Sequence, residues 1–216
     1  MNIRKFPIAT GEIYHIFNKS ISGYVIFNVQ KDYEDFLSRV LFYNSKRREK
    51  SFSGFMRTFD GLIEDLKEKK ENSLVQIISY CLMPTHFHFI LKQLEDGGIS
   101  SFISNVCDSY TRHFNLNHKR KGPLWQGNFK DVLIKTDEQL LHITRYIHLN
   151  PSTAYIVENP IDWEYSSYSE YLGSKNKGIC DFFEFFNIKS EEYRNFVEDR
   201  ISYQRDLSKI KDLIIE

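Results

Sequence analysis

No run of the chain approaches the roughly 20 consecutive apolar residues that a membrane-spanning helix requires. Between Met1 and Glu12, Arg4 and Lys5 are not followed by an apolar stretch long enough for a secretory signal. The expectation is a soluble, cytoplasmic protein with no membrane partner. Cysteine is scarce: Cys81, Cys107 and Cys180 lie far apart, form no CxxC spacing, and in any disulfide scheme leave one thiol over. That excludes a disulfide scaffold and a zinc ribbon, and it suits a reducing compartment. An excess of either charge is also missing, since 29 Lys+Arg stand against 29 Asp+Glu. A uniformly basic nucleic-acid-binding domain is thereby excluded, and any DNA or RNA function must rest on a local patch. What the chain does have is apolar and aromatic mass: 41% hydrophobic residues, with 18 Phe and 13 Tyr in 216 residues. This is ample for a packed core, in one domain or one domain with a tail.

The order of elements follows from periodicity. Ile13 to Ile21 reads as a strand, ending near Ser22-Gly23. Phe36, Leu37, Val40 and Leu41 recur at helical spacing within about residues 32–43. Residues 44–72 are charge-rich and read as an insertion carrying a short helix or two. Leu74 to Met83 is apolar, β-branched and uncharged, and it stops at Pro84. With His86 to Leu91 it predicts a hairpin. Gly97-Gly98 then breaks the strand, and Ser100 or Ser101 caps a helix running to about Asn117. Phe129 to Ile134 predicts a fourth strand. Thr136 and Gln139 form a capping box for a helix that Pro151 is expected to stop just after Asn150. Strand, helix, strand, strand, helix, strand, helix describes an α+β fold, a ferredoxin-like βαββαβ antiparallel sheet with one additional helix. Phe182 to Glu216 is expected to add one or two accessory helices.

Chemistry concentrates in Pro84-Thr85-His86-Phe87-His88-Phe89. Alternation along a strand puts His86 and His88 on one face, with Cα atoms about 6 to 7 Å apart, close enough for both imidazoles to converge on one cation. The bland alternative is a pair of partly buried histidines, each satisfied by a neighbour. On the last helix His142, Tyr146 and Asn150 recur at four-residue spacing and share a face. That face is either solvent-exposed or lies on the histidine face of the sheet, bringing a tyrosine hydroxyl and an amide-oxygen ligand to the ion.

Four stretches together resemble a known family: Cys81 to His88 (CLMPTHFH), Tyr110 to Asn115 (YTRHFN), Gly122 to Lys130 (GPLWQGNFK) and Arg145 to Pro151 (RYIHLNP). They resemble the single-tyrosine, histidine-hydrophobe-histidine (HUH) transposases of the IS200-like group, and within it most of all the REP-associated tyrosine transposases. The resemblance spans roughly Ile13 to Gly173. It divides the chain into a transposase-like domain over 1–173 and a C-terminal helical extension over 174–216. Trp163 to Ser167 (WEYSS) also resembles the segment that closes such domains. The resemblance implies a DNA endonuclease and strand transferase acting on single strands beside hairpins such as REP-like repeats. In such enzymes a tyrosine attacks a DNA phosphate, leaving a 5′-phosphotyrosine and a free 3′-hydroxyl, with a divalent ion, Mg²⁺ or Mn²⁺, polarising the phosphate. Carried over, His86 and His88 are the paired ligands, Tyr146 the nucleophile and Asn150 the third ligand. His142, a turn before Tyr146, is a candidate to support them from behind. Thr85 stands where asparagine is common and is not expected to ligate. Related enzymes work either as helix-swapping dimers or as single chains, and both stay open here.

Tyr110 is a rival nucleophile, on a helix with Arg112 and His113 close by; it has Phe114 where Tyr146 has an amide four residues on. The local patch that the zero balance demands is also present. Ser109 to Lys130 holds no acidic residue but contains Arg112, Lys119, Arg120, Lys121 and Lys130. Trp125 either packs or stacks a base, Gln126 can read a base edge, and Arg145 is a candidate phosphate contact. Two other classes compete with the transposase reading: a hairpin-binding protein without turnover, and a metal-dependent phosphodiesterase that uses water.

Overall fold

The computed structural model describes residues 7–46, 48, 50–58, 72–175 and 178–214. Its centre is one antiparallel sheet. Strands β1 (Ile13–Lys19), β2 (Val75–Met83), β3 (His86–Gln93) and β4 (Lys130–Ile134) lie in the order β2-β3-β1-β4. With helix α1 (Gln30–Tyr43) after β1 and α3 (Gly98–Asn117) after β3, this is the ferredoxin-like topology. The short helix α2 (Phe52–Thr58) falls in the charged insertion, whose residues 59–71 lie outside the described part. Among the described residues no helix is long and apolar enough to cross a membrane.

Strand alternation gives the sheet two unlike faces. On one, Ile16, Phe87, Phe89 and Leu91 are fully buried beneath α1 and α3, where Phe36 meets Phe27 and Phe87, and Phe102 and Val106 close the layer. Each such side chain contributes about 2 to 3 kcal/mol through removal from water. The opposite face carries His15, Phe17, His86 and His88, and helix α4 (Asp137–Thr153) lies over it. A bulge between Ile77 and Ser79 turns Ser79 onto this second face, where its hydroxyl meets His148 of α4.

Two boundaries differ from the sequence expectation. Helix α3 begins at Gly98, two residues before the expected serine cap, because the Gln93 side chain satisfies the Ile99 N–H at 3.1 Å and Gly97 adopts φ +68°. Gly98 itself is required by close packing: a Cβ there would stand 2.6 Å from the Leu74 carbonyl oxygen. Gly98→Ala is expected to lower unfolding free energy by about 2 kcal/mol, read as a shifted urea midpoint at unchanged slope. An unshifted midpoint would show that the contact relaxes freely.

Pro151 does not end α4, which continues to Thr153. Proline removes one donor from the ladder, but Ala154 N–H still reaches Asn150 O at 2.9 Å and Ile156 N–H reaches Pro151 O at 2.9 Å. Burial of Ile147, His148, Leu149 and Ser152 against the sheet and the C-terminal segment outweighs the local bias. Thr136 caps the helix as expected, with Gln139 N–H donating to Thr136 Oγ1, but the reciprocal half of the expected box is shifted by one residue, Lys135 rather than Thr136 donating its N–H to Gln139 Oε1.

After α4, Trp163 to Ser167 runs along the free edge of β2. Leu82 N–H donates to Tyr165 O and Ser167 N–H to Tyr80 O, so the edge is covered. Helix α5 (Tyr168–Tyr171) follows, then α6 (Ser190–Glu198) and α7 (Ile201–Ile214), the accessory helices expected from sequence. Both pack on α4. Tyr193 of α6 is buried against His148, and Arg205 of α7 donates to Ser152 O at 2.9 Å.

Candidate active site

Register and alternation place the two histidines. His88 pairs across the sheet with Phe17 of β1 and Cys81 of β2, His86 with Lys19 and Met83. The His86 and His88 rings stand 5.1 Å apart between centroids at 86°, so they share one side of the sheet. Their inner nitrogens are engaged. His86 Nδ1 lies 3.0 Å from Thr85 Oγ1, and His88 Nδ1 lies 2.9 Å from His15 Nε2. Neither Nε2 has a hydrogen-bond partner among the described residues.

Tyr146 arrives from α4. Its ring meets His88 edge-on at 5.9 Å and His15 at 6.3 Å, and the residue keeps 42% of its surface exposed. A tyrosine anchored on one edge and open on the other is accessible to a polymer substrate. One turn on, the Asn150 amide nitrogen is buried with no hydrogen-bond partner. A buried amide that the protein leaves unsatisfied is costly unless something else engages the group.

Electrostatics suits ligation by neutral imidazoles. Burial pushes His86 down to about 4, with the Lys19 charge adding to the effect. Burial also takes His15 to about 4 and His88 well below the usual imidazole range, the latter helped by His86 and His15. Tyr146 moves the unhelpful way: burial, with Cys81 nearby, raises its phenol above the ordinary value. The neutral phenol is therefore the dominant form of Tyr146 at neutral pH.

Other sequence candidates sit elsewhere. Tyr110 is 1% exposed and its hydroxyl donates to Ile26 O at 2.5 Å, so this ring belongs to the core. His142 and Arg145 engage each other at 2.7 Å, and Arg145 lies over the Phe196 ring of α6 at 4.2 Å and donates to its carbonyl. Trp125 takes the packing role of the two considered: it is 9% exposed, meets Phe36 and Phe87, and donates to Cys107 O. Arg120 braces its own turn by donating to Asn115 Oδ1, Gly122 O and Pro123 O. Arg112, Lys119, Lys121, Gln126 and Lys130 are exposed. Sequence reasoning missed His15, Lys19 and the Thr85 contact. Strand alternation puts His15, Phe17 and Lys19 on one face, but which strand pairs with β1 is not written locally.

Among the described residues no group of three or more His, Cys, Asp or Glu side chains is arranged to hold a metal ion. A divalent ion here would take the two imidazoles plus the Asn150 amide and oxygens from substrate or water. The two Nε2 atoms fit that demand, and Asn150 would ligate through Oδ1, since its unpartnered buried atom is the N–H donor end of the amide; together they make a mixed nitrogen and oxygen set suited to Mn²⁺ or Mg²⁺.

The family model described as "Transposase IS200 like" matches residues 23–150, and the chain belongs to this family. It is similar to a Haemophilus influenzae protein named "Putative REP-associated tyrosine transposase", at 30% identity over 112 residues, 47% of this chain and 64% of that one. The chain thus matches under two thirds of that relative's length. It is also similar to the solved structure of a REP-associated tyrosine transposase bound to a REP hairpin. There the TM-score is 0.47 and identity 17%, over 84% of this chain and 89% of the other.

Proposed function

We propose that the protein is a metal-dependent endonuclease and strand transferase for single-stranded DNA, cutting beside hairpins through a covalent tyrosine intermediate. The observation that carries this reading is the placement of Tyr146, half-exposed, against His88 of the His86/His88 pair within one chain. That same-chain meeting supports cleavage by a single subunit.

His86, His88 and Asn150 would hold Mg²⁺ or Mn²⁺, which when bound neutralises and polarises the scissile phosphate. The chain's own residues do the rest. His15 and His88 fix the Tyr146 ring from one side, so its oxygen swings little and the attack line on phosphorus is set. Tyr146 Oη loses its proton and bonds to phosphorus, the bond from phosphorus to the 3′ oxygen breaks, and a 5′-phosphotyrosine and a 3′-hydroxyl result. The phosphoester energy is retained, so rejoining needs no nucleotide.

The exposed cations Arg112, Lys119, Lys121 and Lys130 supply phosphate contacts for the hairpin. Lys119→Ala, Lys121→Ala and Lys130→Ala combined are expected to reduce the slope of log affinity against log salt by about 2 to 3, at roughly 0.7 to 0.9 per lost contact. Anisotropy of a labelled hairpin between 50 and 200 mM salt measures it; an unchanged slope would move the DNA to another face.

The deciding assay incubates the protein and Mn²⁺ with end-labelled hairpin oligonucleotides and resolves products on a denaturing gel. Fragments joined to protein through their 5′ end support the proposal. Cut but unlinked fragments would indicate water as nucleophile, and bound, uncut DNA a binding protein without turnover.

A further inference from the structure

His15 enters the site from β1, 73 positions before His88 in the chain, and its Nε2 lies 2.9 Å from His88 Nδ1 with the rings stacked at 5.1 Å and 23°. A hydrogen bond between two neutral imidazoles carries one proton, and its position decides what His88 can do. If the proton sits on His88 Nδ1, the His88 Nε2 lone pair is free to bind a cation. If it sits on His15 Nε2, His88 accepts through Nδ1, so its single ring proton is on Nε2 and blocks ligation.

Burial favours the first arrangement. His88 is the more buried of the two rings, 7% exposed, and its Nε2 has no hydrogen-bond partner among the described residues, so a proton there would have no acceptor from the protein, whereas one on Nδ1 is accepted by His15. His15 is less buried, and in the first arrangement its spare proton is on Nδ1, within reach of water. Thr85 does the same service for His86 through Nδ1. The pair is thus held from behind by two groups from different parts of the sheet, as metal-ligating histidines generally are.

We infer that His15 is a positioning residue that holds His88 in the Nδ1–H tautomer and so presents its Nε2 to the metal. This rests on the reading of His86 and His88 as ligands. Tyr146, in edge contact with both rings, is aligned by the same pair.

Two measurements on the full chain test it: long-range proton–nitrogen NMR correlations of the histidine side chains, which report tautomers without metal, and calorimetric titration with Mn²⁺. His15→Phe keeps a ring against Tyr146 but removes the acceptor; His15→Gln restores an acceptor. His88 is expected as the Nδ1–H tautomer in the parent and in His15→Gln, and as Nε2–H in His15→Phe, where Mn²⁺ binds about 10-fold more weakly or worse. An Nε2–H His88 in the parent, or a His15→Phe variant with tautomer and affinity unchanged, would overturn the inference. If the parent shows the expected tautomer, lost in His15→Phe, yet binds no Mn²⁺, His15 still orients His88 and it is the metal reading that fails.

Discussion

Tyr146→Phe is expected to eliminate the protein-linked DNA fragment entirely and to reduce strand cleavage by about a thousandfold or more, the scale on which losing a covalent nucleophile acts. The substitution removes one oxygen and leaves the ring against His88 and His15, so folding and hairpin binding are expected to survive it. Tyr110→Phe is the control. It deletes the buried hydroxyl that donates to Ile26 O, costing on the order of 1 kcal/mol of stability, while covalent adduct formation persists. An active Tyr146→Phe protein, or an adduct that disappears only with Tyr110→Phe, would end the assignment. The direction of the phenol shift adds a pH signature. Burial raises Tyr146 above its ordinary value, so the phenolate is a minor species at neutral pH, and cleavage is expected to climb as pH rises from 7 towards 9.

Acid is expected to unfold this protein near pH 5 through its buried histidines. His15 and His86 are held down at about 4, His148 at about 3, and His88 well below its ordinary value, each mainly by burial. The unfolded chain takes up protons at these four positions below about pH 6.5, whereas the folded chain resists until near pH 4 or lower. Their contribution is therefore fully present above pH 6.5 and is lost as pH falls below it. Each such proton steepens the loss by about 1.4 kcal/mol per pH unit. Four together approach about 5 kcal/mol per unit, enough to exhaust an ordinary domain stability of about 5 to 15 kcal/mol near pH 5. Urea unfolding at several pH values reads the slope directly. A slope of one proton or fewer between pH 6 and 5 would show that the four imidazoles already titrate in the folded state. His148 makes the strongest case, being wholly buried with Nδ1 2.8 Å from the Tyr193 hydroxyl and Nε2 2.8 Å from Ser167 Oγ. That network also joins α4 to β2 and α6, so its protonation loosens the helix bearing Tyr146.

Much of this site is a local property of the chain. Alternation along β3 is enough to put His86 and His88 together and to bury Phe87 and Phe89 behind them. The cap at Thr136 starts α4, and helical spacing then sets Tyr146 and Asn150 one turn apart. The acid-free stretch from Ser109 to Lys130 is likewise plain in the residues. Such features depend on near neighbours, whose geometry the backbone periodicities dictate.

Tertiary structure decided the rest, because strand pairing and helix docking bring together residues that no local rule connects. Only the β1–β3 register could place His15 behind His88. Only packing could carry α4 through Pro151, since a missing donor costs less than uncovering Ile147, His148 and Leu149. Core formation withdrew Tyr110 and Trp125 from solvent, and docking of α6 engaged Arg145 with Phe196. The sequence by itself determined which groups stand as candidates for the proposed chemistry. Long-range burial determined which of them remain open to substrate, because the free energy of removing apolar surface from water is summed over the whole molecule rather than along the chain.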